Sequence, residues 1–334
     1  MACKIMIITR TPLRISFFGG GTDFPAWYGK NGGAVLSTAI DKYCYVHCRR
    51  LPPFFEYKHK VVFFSKQEAF NEIDEIEHPA VREVYRFLKI TDGMVMQHDA
   101  DLPSNSGLGS SSAFTVGLLN ALYALQGTMV TKKRLALEAI HVEQDMIREP
   151  VGSQDQVASA FGGFNRILFT PNDIEVNPIL LANEKVAFLQ SNLMLFFTGF
   201  SRFGADIEHD KLAKMDSRED ELRRIQEMVE EAIEILAGET KSYDDFGKLL
   251  HEAWILKKTL SGKVSSPEID CIYQKGLNAG ALGGKLLGAG GGGFFLFYAS
   301  PDKQESVKKA LEPLLHVPFG FDTLGSQVIY YALP

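Results

Sequence analysis

The first third of the chain carries short apolar runs that are separated by glycine, proline and asparagine. Within each run, apolar residues alternate with polar ones or follow one another for a few positions, which is typical of β-strands. The runs expected to form strands are residues 4–9, 14–18, 34–40, 43–50, 61–64 and 94–98. Their close spacing predicts a mixed or antiparallel sheet.

Helical periodicity follows these runs. Residues 114–125 are apolar on almost every side, which predicts a buried helix. Residues 132–147 place apolar side chains three or four positions apart, as on one face of a helix. A third, shorter helix is predicted over residues 154–161, because the Gly162-Gly163 pair ends the pattern.

The second half of the chain has a different character. Strand-like runs return at residues 164–169, 186–190, 193–197 and 294–298. One apolar stripe along residues 222–236 stops at Gly238, which predicts an amphipathic helix in a charge-rich stretch. Ser266 and Ser300, each followed by proline, predict two further helix starts, because serine caps a helix and proline fits its first turn.

This order of elements bears on fold class and domains. Strands followed by helices, and then a second group of helices and strands, favour an α+β fold over a doubly wound parallel sheet. We place the change of domain between residues 185 and 205, just before the charged helix. The predicted domains are therefore residues 1–190 and 191–334.

Composition excludes some functions. With 334 residues, 46% hydrophobic and 23% charged, the chain is typical of a globular protein. Its net charge of -6 provides no basic field for nucleic acid, and no apolar run is long enough to cross a bilayer. We therefore expect a cytoplasmic protein without nucleic-acid or membrane partners. The four sparse cysteines, Cys3, Cys44, Cys48 and Cys271, are expected to be reduced thiols.

A loop rich in serine and glycine precedes the predicted buried helix. Glycine at 107 and 109 lets the backbone approach a phosphate, and the helix start that follows favours negative charge. The hydroxyls of Ser110, Ser111 and Ser112 add donors for phosphate and ligands for a hard cation. An ordinary capped turn is the alternative. Because no G-x-x-x-x-G-K-[ST] pattern is present, a standard P-loop enzyme is excluded.

Three further segments offer candidate chemistry. Residues 19–23 combine three glycines with Thr22 and Asp23, whose polar groups suit sugar hydroxyls, although a strand-ending turn uses the same residue types. Glu143 and Asp155 lie at helix ends, where a carboxylate can bind a metal, accept a proton or simply be solvated. Residues 288–293 are glycine-rich, which indicates either a ligand loop or a hinge.

Together these motifs resemble those of the GHMP kinases, the family of galactokinase, homoserine kinase and mevalonate kinase. Residues 10–14, followed by Gly19 and Thr22-Asp23, are similar to the first family motif. Residues 103–113 resemble the second, ATP-phosphate motif, and residues 285–294 the third. The resemblance covers most of the chain. It implies an N-terminal domain like domain 2 of ribosomal protein S5, a ferredoxin-like C-terminal domain and an active site between them.

The resemblance also implies roles for individual residues. Asp155 would be the catalytic base, and Arg14 beside it would keep that carboxylate ionised and stabilise the transferring phosphoryl group. Ser111, with Ser110 as the alternative, and Glu143 would hold Mg²⁺. The residues implied to bind ATP are Pro103, Ser104, Asn105, Ser106, Gly107, Leu108, Gly109, Ser110, Ser111 and Ser112. Those implied to bind the acceptor are Gly20, Gly21, Thr22, Asp23, Arg202, Gly290 and Gly291.

The acceptor is indicated by finer features. Galactokinases carry Glu-His where this chain has Gly20-Gly21. The whole first motif, with residues 163–165 and 198–202, resembles instead the kinases that phosphorylate the anomeric hydroxyl of D-glycero-D-manno-heptose 7-phosphate. Arg202 would then bind the existing phosphate of this small-molecule sugar phosphate. Another sugar such as fucose or galactose, a non-catalytic ligand sensor, and a homodimer remain open.

Overall fold

The computed structural model describes residues 6–64, 66–200, 204–238 and 242–332. The strands are β1 (Met6–Phe18), β2 (Gly33–Arg50), β3 (His59–Phe63), β4 (Lys66–Phe70), β5 (Met94–Ala100), β6 (Phe164–Phe169), β7 (Ile174–Pro178), β8 (Leu193–Phe197), β9 (Gly283–Leu286), β10 (Phe294–Tyr298), β11 (Leu315–His316), β12 (Phe321–Asp322) and β13 (Gln327–Tyr331). The α-helices are α1 (Pro25–Asn31), α2 (Pro79–Phe87), α3 (Ser110–Leu125), α4 (Lys132–His141), α5 (Gln154–Phe161), α6 (Asn183–Ser191), α7 (Ala205–Lys214), α8 (Glu219–Ala237), α9 (Asp244–Leu260), α10 (Pro267–Asn278) and α11 (Pro301–Ala310).

The strands of the described residues form two sheets. The first has nine strands, with β13, β1, β2, β5, β3 and β4 side by side and β6, β7 and β12 attached through β2. Its strands pair antiparallel except for β3 and β5, which are parallel. The second has four antiparallel strands in the order β11-β8-β10-β9, which is the order of a ferredoxin-like domain. The α+β class and the ferredoxin-like second sheet are thus confirmed.

Strand β10 separates two apolar cores. Phe295 and Phe297 pack into a cluster with α10 and α11, whereas Phe294, Leu296 and Tyr298 face the larger cluster that extends to the first sheet. Successive side chains of a strand point to opposite faces. Because both faces of β10 are covered, every position of the strand is apolar.

Most predicted strands form, but some of them merge. The described part of the run 4–9, from Met6 onward, and the run 14–18 belong to the single strand β1. The runs 34–40 and 43–50 likewise join in β2. A register shift between Pro12 and Leu13 marks where the pairing of β1 with β2 is interrupted, although the strands continue.

The predicted strand at residues 186–190 is wrong, because this segment lies in helix α6. Only Leu189 of that helix is buried, so the apolar run does not line one face of a sheet. The predicted helix at residues 132–147 also changes character. It ends as α4 at His141 and continues as a π-helical turn over Val142–Ile147, which places Glu143 on the inside.

The predicted helix ends are largely confirmed. The hydroxyl of Ser266 accepts a hydrogen bond from the N–H of Ile269, and α10 begins with proline. At Ser300 the helix also begins with proline, but the hydroxyl donates to Asp302 instead of capping the helix. The amphipathic helix α8 stops before Gly238, and its apolar stripe is buried.

The end of the described chain returns to the first sheet. Strand β12 pairs with β2, and β13 pairs with β1, where Ile7 lies opposite Tyr331. The division into residues 1–190 and 191–334 stays a prediction, and these last strands cross it. Among the described residues, no helix has the length and apolar character needed to cross a membrane.

Candidate active site

A cavity of about 320 Å³ is lined by both halves of the chain. The first half contributes the end of β1, the loop that follows it, and the starts of α3 and α5. The second half contributes α7, α9 and the loop between β9 and β10. The cavity therefore lies where the resemblance places an active site.

The two predicted catalytic residues are in direct contact. Arg14 on β1 donates to both carboxylate oxygens of Asp155, with 2.7 Å from Nε to Oδ1 and 2.6 Å from Nη2 to Oδ2. The side chain of Arg14 is 3% exposed and that of Asp155 is 23% exposed. A third donation, from Arg14 Nη1 to the carbonyl of Gly107, ties the pair to the serine-glycine loop. This bidentate geometry fixes a carboxylate that still faces the cavity, which is what a general base needs.

The serine-glycine loop forms an anion site at a helix start. Gly109 is the N-terminal cap of α3 with φ of 76°, and Gly107 has φ of 82°, both in the region that favours glycine. A side chain on Gly107 would lie 2.5 Å from the carbonyl oxygen of Leu287. The first turn of α3 thus offers N–H groups to a ligand, and its dipole favours negative charge.

Not every residue of the predicted ATP loop faces the cavity. Those that line it are Asn105, Gly107, Gly109, Ser110, Ser111 and Ser112. The remaining members of the loop, Pro103, Ser104, Ser106 and Leu108, do not. Ser106 and Leu108 are fully buried and have backbone roles instead, since their carbonyls accept from Phe294 and Arg14 respectively.

The predicted metal ligand Glu143 is buried beneath this loop. Its Oε2 accepts from Ser112 Oγ at 2.8 Å and from Gln156 Nε2 at 2.5 Å, whereas its Oε1 has no hydrogen-bond partner in the described part of the chain. Burial raises the pKa of Glu143 to about 7. A divalent cation would satisfy the unpaired oxygen and favour the ionised carboxylate, so these residues fit Mg²⁺.

Magnesium would need ligands other than acidic side chains, such as phosphate oxygens, water or hydroxyl groups. Within the described ranges, no group of three or more His, Cys, Asp and Glu side chains could hold a metal ion. Mg²⁺ is commonly held by one or two carboxylates together with phosphate oxygens and water. The hydroxyl of Ser112 is engaged by Glu143, whereas Ser111 is exposed at the cavity wall.

The loop after β1 carries a buried carboxylate. Asp23 accepts from the N–H of Gly21 at 2.9 Å and from that of Gln154 at 3.3 Å. Burial raises the pKa of Asp23 to about 6, against the opposing effect of the Gly21 hydrogen bond. A side chain on Gly152 would lie 2.0 Å from Asp23 Oδ2, so only glycine fits there. Asp23 is therefore held rigidly at the cavity wall.

Thr22 and Gly20 have different places in this loop. Thr22 is fully buried, donates to the carbonyls of Gly19 and Ala34, and does not line the cavity. Gly20 lines the cavity, and a Cβ there would lie 3.5 Å from Gln154 Nε2 and 3.7 Å from Ser16 Oγ.

Three residues that line the cavity have a polar atom without a partner in the described part of the chain. Ser16 Oγ, Gln154 Oε1 and Glu208 Oε2 are buried, and none of them has a hydrogen-bond partner among the residues that the structure describes. All three residues line the cavity. Because buried polar atoms normally find partners, this wall suits a ligand with several hydroxyl groups.

The glycine loop between β9 and β10 touches the serine-glycine loop. A Cβ on Gly288 would lie 2.4 Å from the Cα of Gly107, so the two backbones are in contact. Gly290 also lines the cavity, whereas Gly291 does not, and its N–H donates to the carbonyl of Val264. The two halves of the site thus meet at two glycines.

Three lysines to which the sequence assigned no role also line the cavity. Lys211 lies on α7, Lys257 on α9 and Lys285 on β9. Lys211 and Lys257 sit in charge-rich helices, where a lysine usually marks a solvated face, so no local signal identified them. Arg202, predicted to bind the acceptor phosphate, lies outside the described residues.

Two family models match this chain. The profile of the GHMP kinases N-terminal domain matches residues 76–163, and that of the GHMP kinases C-terminal domain matches residues 228–314. The D-glycero-alpha-D-manno-heptose 7-phosphate kinase of Campylobacter jejuni is 32% identical over 91% of this chain and 93% of its own length.

Two other relatives are less similar. The bifunctional fucokinase/GDP-fucose pyrophosphorylase of Arabidopsis thaliana is 26% identical over 90% of this chain and 30% of its own. The crystal structure of a D-glycero-D-manno-heptose 1-phosphate kinase from Bacteroides thetaiotaomicron has a TM-score of 0.78 at 23% identity, covering 97% of this chain and 99% of that one. That structure shares the fold.

Proposed function

Because this chain belongs to the GHMP kinase family, whose members transfer phosphate to alcohol groups, we propose that it is an ATP-dependent sugar 1-kinase. Its proposed acceptor is the anomeric hydroxyl of D-glycero-D-manno-heptose 7-phosphate, and its product is the 1,7-bisphosphate. The observation that carries the proposal is the bidentate pair of Arg14 and Asp155. This pair lies between a loop suited to phosphate and a wall suited to hydroxyl groups.

In the proposed reaction, Asp155 accepts the proton of the anomeric hydroxyl. The sugar oxygen then forms a bond to the γ-phosphorus of ATP as the bond from that phosphorus to the bridging oxygen of ADP breaks. Arg14 holds Asp155 in place through two of its nitrogens. Its charge also stabilises the negative charge on the phosphoryl group.

The phosphates of ATP would lie at the first turn of α3, against Gly107 and Gly109. The first turn of α3 lines the cavity and has N–H groups without helical partners, and the glycines leave room for close approach. Glu143 and Ser111 would hold Mg²⁺, which would neutralise charge on the phosphates of ATP.

The acceptor wall supports a polyhydroxylated substrate. Asp23 presents a fixed carboxylate, and Ser16, Gln154 and Glu208 present unpaired polar atoms. The name of the Campylobacter jejuni relative supports heptose 7-phosphate in particular. Fucose is the alternative that the Arabidopsis relative supports. A non-catalytic ligand sensor is less well supported as the function, because Arg14 and Asp155 are both present and paired.

The test is a coupled assay of ADP release with purified protein, ATP and Mg²⁺. The acceptors are D-glycero-D-manno-heptose 7-phosphate, the corresponding heptose 1-phosphate, fucose, galactose and mevalonate. We expect the highest kcat/KM with heptose 7-phosphate. A higher kcat/KM with any other member of the panel would replace the proposed acceptor, and release with none of them would reject the sugar kinase itself.

A further inference from the structure

Three amines from the second half of the chain crowd one side of the active-site cavity. They belong to Lys211, Lys257 and Lys285. Of these three lysines, only Lys211 forms an ion pair with a carboxylate of the described residues. Its partner is Glu208, at 3.3 Å. The cluster therefore carries more positive charge than its own carboxylate partner offsets.

The other two amines are bonded to backbone carbonyls. Lys257 Nζ donates to the carbonyl of Leu286 at 2.7 Å and to that of Gly288 at 2.6 Å. Lys285 Nζ donates to the carbonyl of Phe17 at 2.7 Å. When it is protonated, each of these amines has three donors and therefore keeps at least one for a ligand.

Crowding and burial make this arrangement costly without an anion. Burial, followed by the charges of Lys211 and Lys285, holds the pKa of Lys257 well below its ordinary value. Burial and the nearby Arg14 lower the pKa of Lys285 to about 7. A bound anion would offset both effects, so the cluster is suited to a phosphate group.

Lys211 is the member of this cluster that lies nearest the residues predicted to bind the acceptor. Besides the main cavity, Lys211 lines a small side pocket together with Gly21, which is predicted to bind the acceptor, and Phe24 at the start of α1. Its partner Glu208 is close enough to Asp23 to raise the pKa of that carboxyl. Lys211 therefore lies on the acceptor side. Lys257 is bonded to Gly288 of the glycine loop and is close enough to Lys211 for the charge of Lys211 to lower its pKa.

We propose that Lys211 and Lys257 form a subsite for the phosphomonoester that the acceptor sugar already carries. The inference rests on the proposed function, since it requires a phosphorylated acceptor. The same amines could also bind the phosphates of ATP, and the experiment separates these two anions. The subsite would make the enzyme selective for a sugar phosphate over the free sugar.

The experiment measures binding by calorimetry on the full-length protein, so that it does not depend on turnover. Lys211→Met and Lys257→Met are compared with Lys214→Met and Lys258→Met. The control lysines lie on the same helices, are paired with Asp210 and Asp270 and do not line the cavity. The ligands are D-glycero-D-manno-heptose 7-phosphate and a non-hydrolysable ATP analogue.

We expect Lys211→Met to raise the Kd for heptose 7-phosphate by roughly 10- to 100-fold, the scale of one hydrogen bond to a charged group. The Kd for the ATP analogue should change by less than about threefold, the control variants should match the wild type, and Lys211→Arg should restore most of the binding. Lys257→Met should have a similar effect, and thermal unfolding shows whether that variant is folded.

Two results would overturn the subsite. One is an unchanged Kd for heptose 7-phosphate in folded Lys211→Met protein, and the other is an equal rise in the Kd for the ATP analogue. Neither result affects the proposed function, which fails separately if the wild type phosphorylates no acceptor of the panel.

Discussion

Substitution of Asp155 by asparagine tests the centre of the proposed mechanism. Asparagine keeps the size of the side chain but cannot accept the proton of the attacking hydroxyl. We expect kcat to fall by roughly 100-fold or more, the usual scale of a lost general base. A 100-fold loss corresponds to a rise of about 2.7 kcal/mol in the activation barrier.

The same substitution should also lower stability. Arg14 donates to both oxygens of Asp155, at 2.7 and 2.6 Å, and is 3% exposed. In the variant, one of these positions holds an NH₂ group, so one hydrogen bond to a buried charge is lost. Such a bond contributes about 1.5–3 kcal/mol. The bond from Arg14 to the carbonyl of Gly107 remains and limits the loss.

The assay must therefore separate catalysis from folding. We would measure kcat by ADP release at saturating ATP and acceptor, binding of an ATP analogue by calorimetry, and the free energy of unfolding in urea. Asp145→Asn is the matched control, because Asp145 is a largely exposed carboxylate paired with His141. If Asp155→Asn binds the ATP analogue normally and retains kcat within about threefold of the wild type, the base lies elsewhere.

Three further substitutions test the walls of the site. Gly20→Ala should raise KM for the sugar by roughly 10-fold and leave KM for ATP unchanged, because a Cβ would occupy the space near Ser16 Oγ. Steady-state kinetics with each substrate varied in turn would measure both constants. A rise in KM for ATP instead would contradict the placement of Gly20 at the sugar. Gly288→Ala should lower the free energy of unfolding by roughly 1–3 kcal/mol, since φ at this position is 65° and the new Cβ would lie 2.4 Å from the Cα of Gly107. Urea unfolding measures this change. An unchanged midpoint would mean that the glycine loop and the serine-glycine loop do not touch. Because burial raises the pKa of Asp23 from 3.8 to about 6, the folded state holds a proton that the unfolded state releases, so the free energy of unfolding should fall as the pH rises across that window. Asp23→Asn should remove this fall in the free energy of unfolding with pH. Urea unfolding of both proteins at several pH values measures it, and the same dependence on pH in the variant and the wild type would contradict the prediction.

Features with strong local signals could be predicted from the sequence. Glycine at 107 and 109 before an apolar helix indicates an anion site, and the structure gives both residues the positive φ that such a loop requires. Ser266-Pro267 indicates a helix start, and the serine caps α10. These features depend on a few neighbouring residues, so the chain need not be folded for them to be recognised.

Features that depend on distant contacts could not be predicted. The run 186–190 has the apolar pattern of a strand but forms part of α6. Which of its side chains are buried depends on contacts with distant parts of the chain, and the local pattern does not contain them. Lys211 and Lys257 resemble surface lysines until α7 and α9 bring them to the cavity. The family resemblance places Arg14 beside Asp155, and the contact between them spans 141 positions.

The pairing of β13 with β1 has a consequence for biosynthesis. A ribosome releases the chain from its N-terminus, so β1 emerges long before its partner at Gln327–Tyr331. Until then, the edge of β1 along residues 7–10 stays open, and an open strand edge is a template for pairing with other chains. Completion of the first sheet is thus delayed until nearly the whole described chain has been made, and the ferredoxin-like half can fold before the half that precedes it is closed.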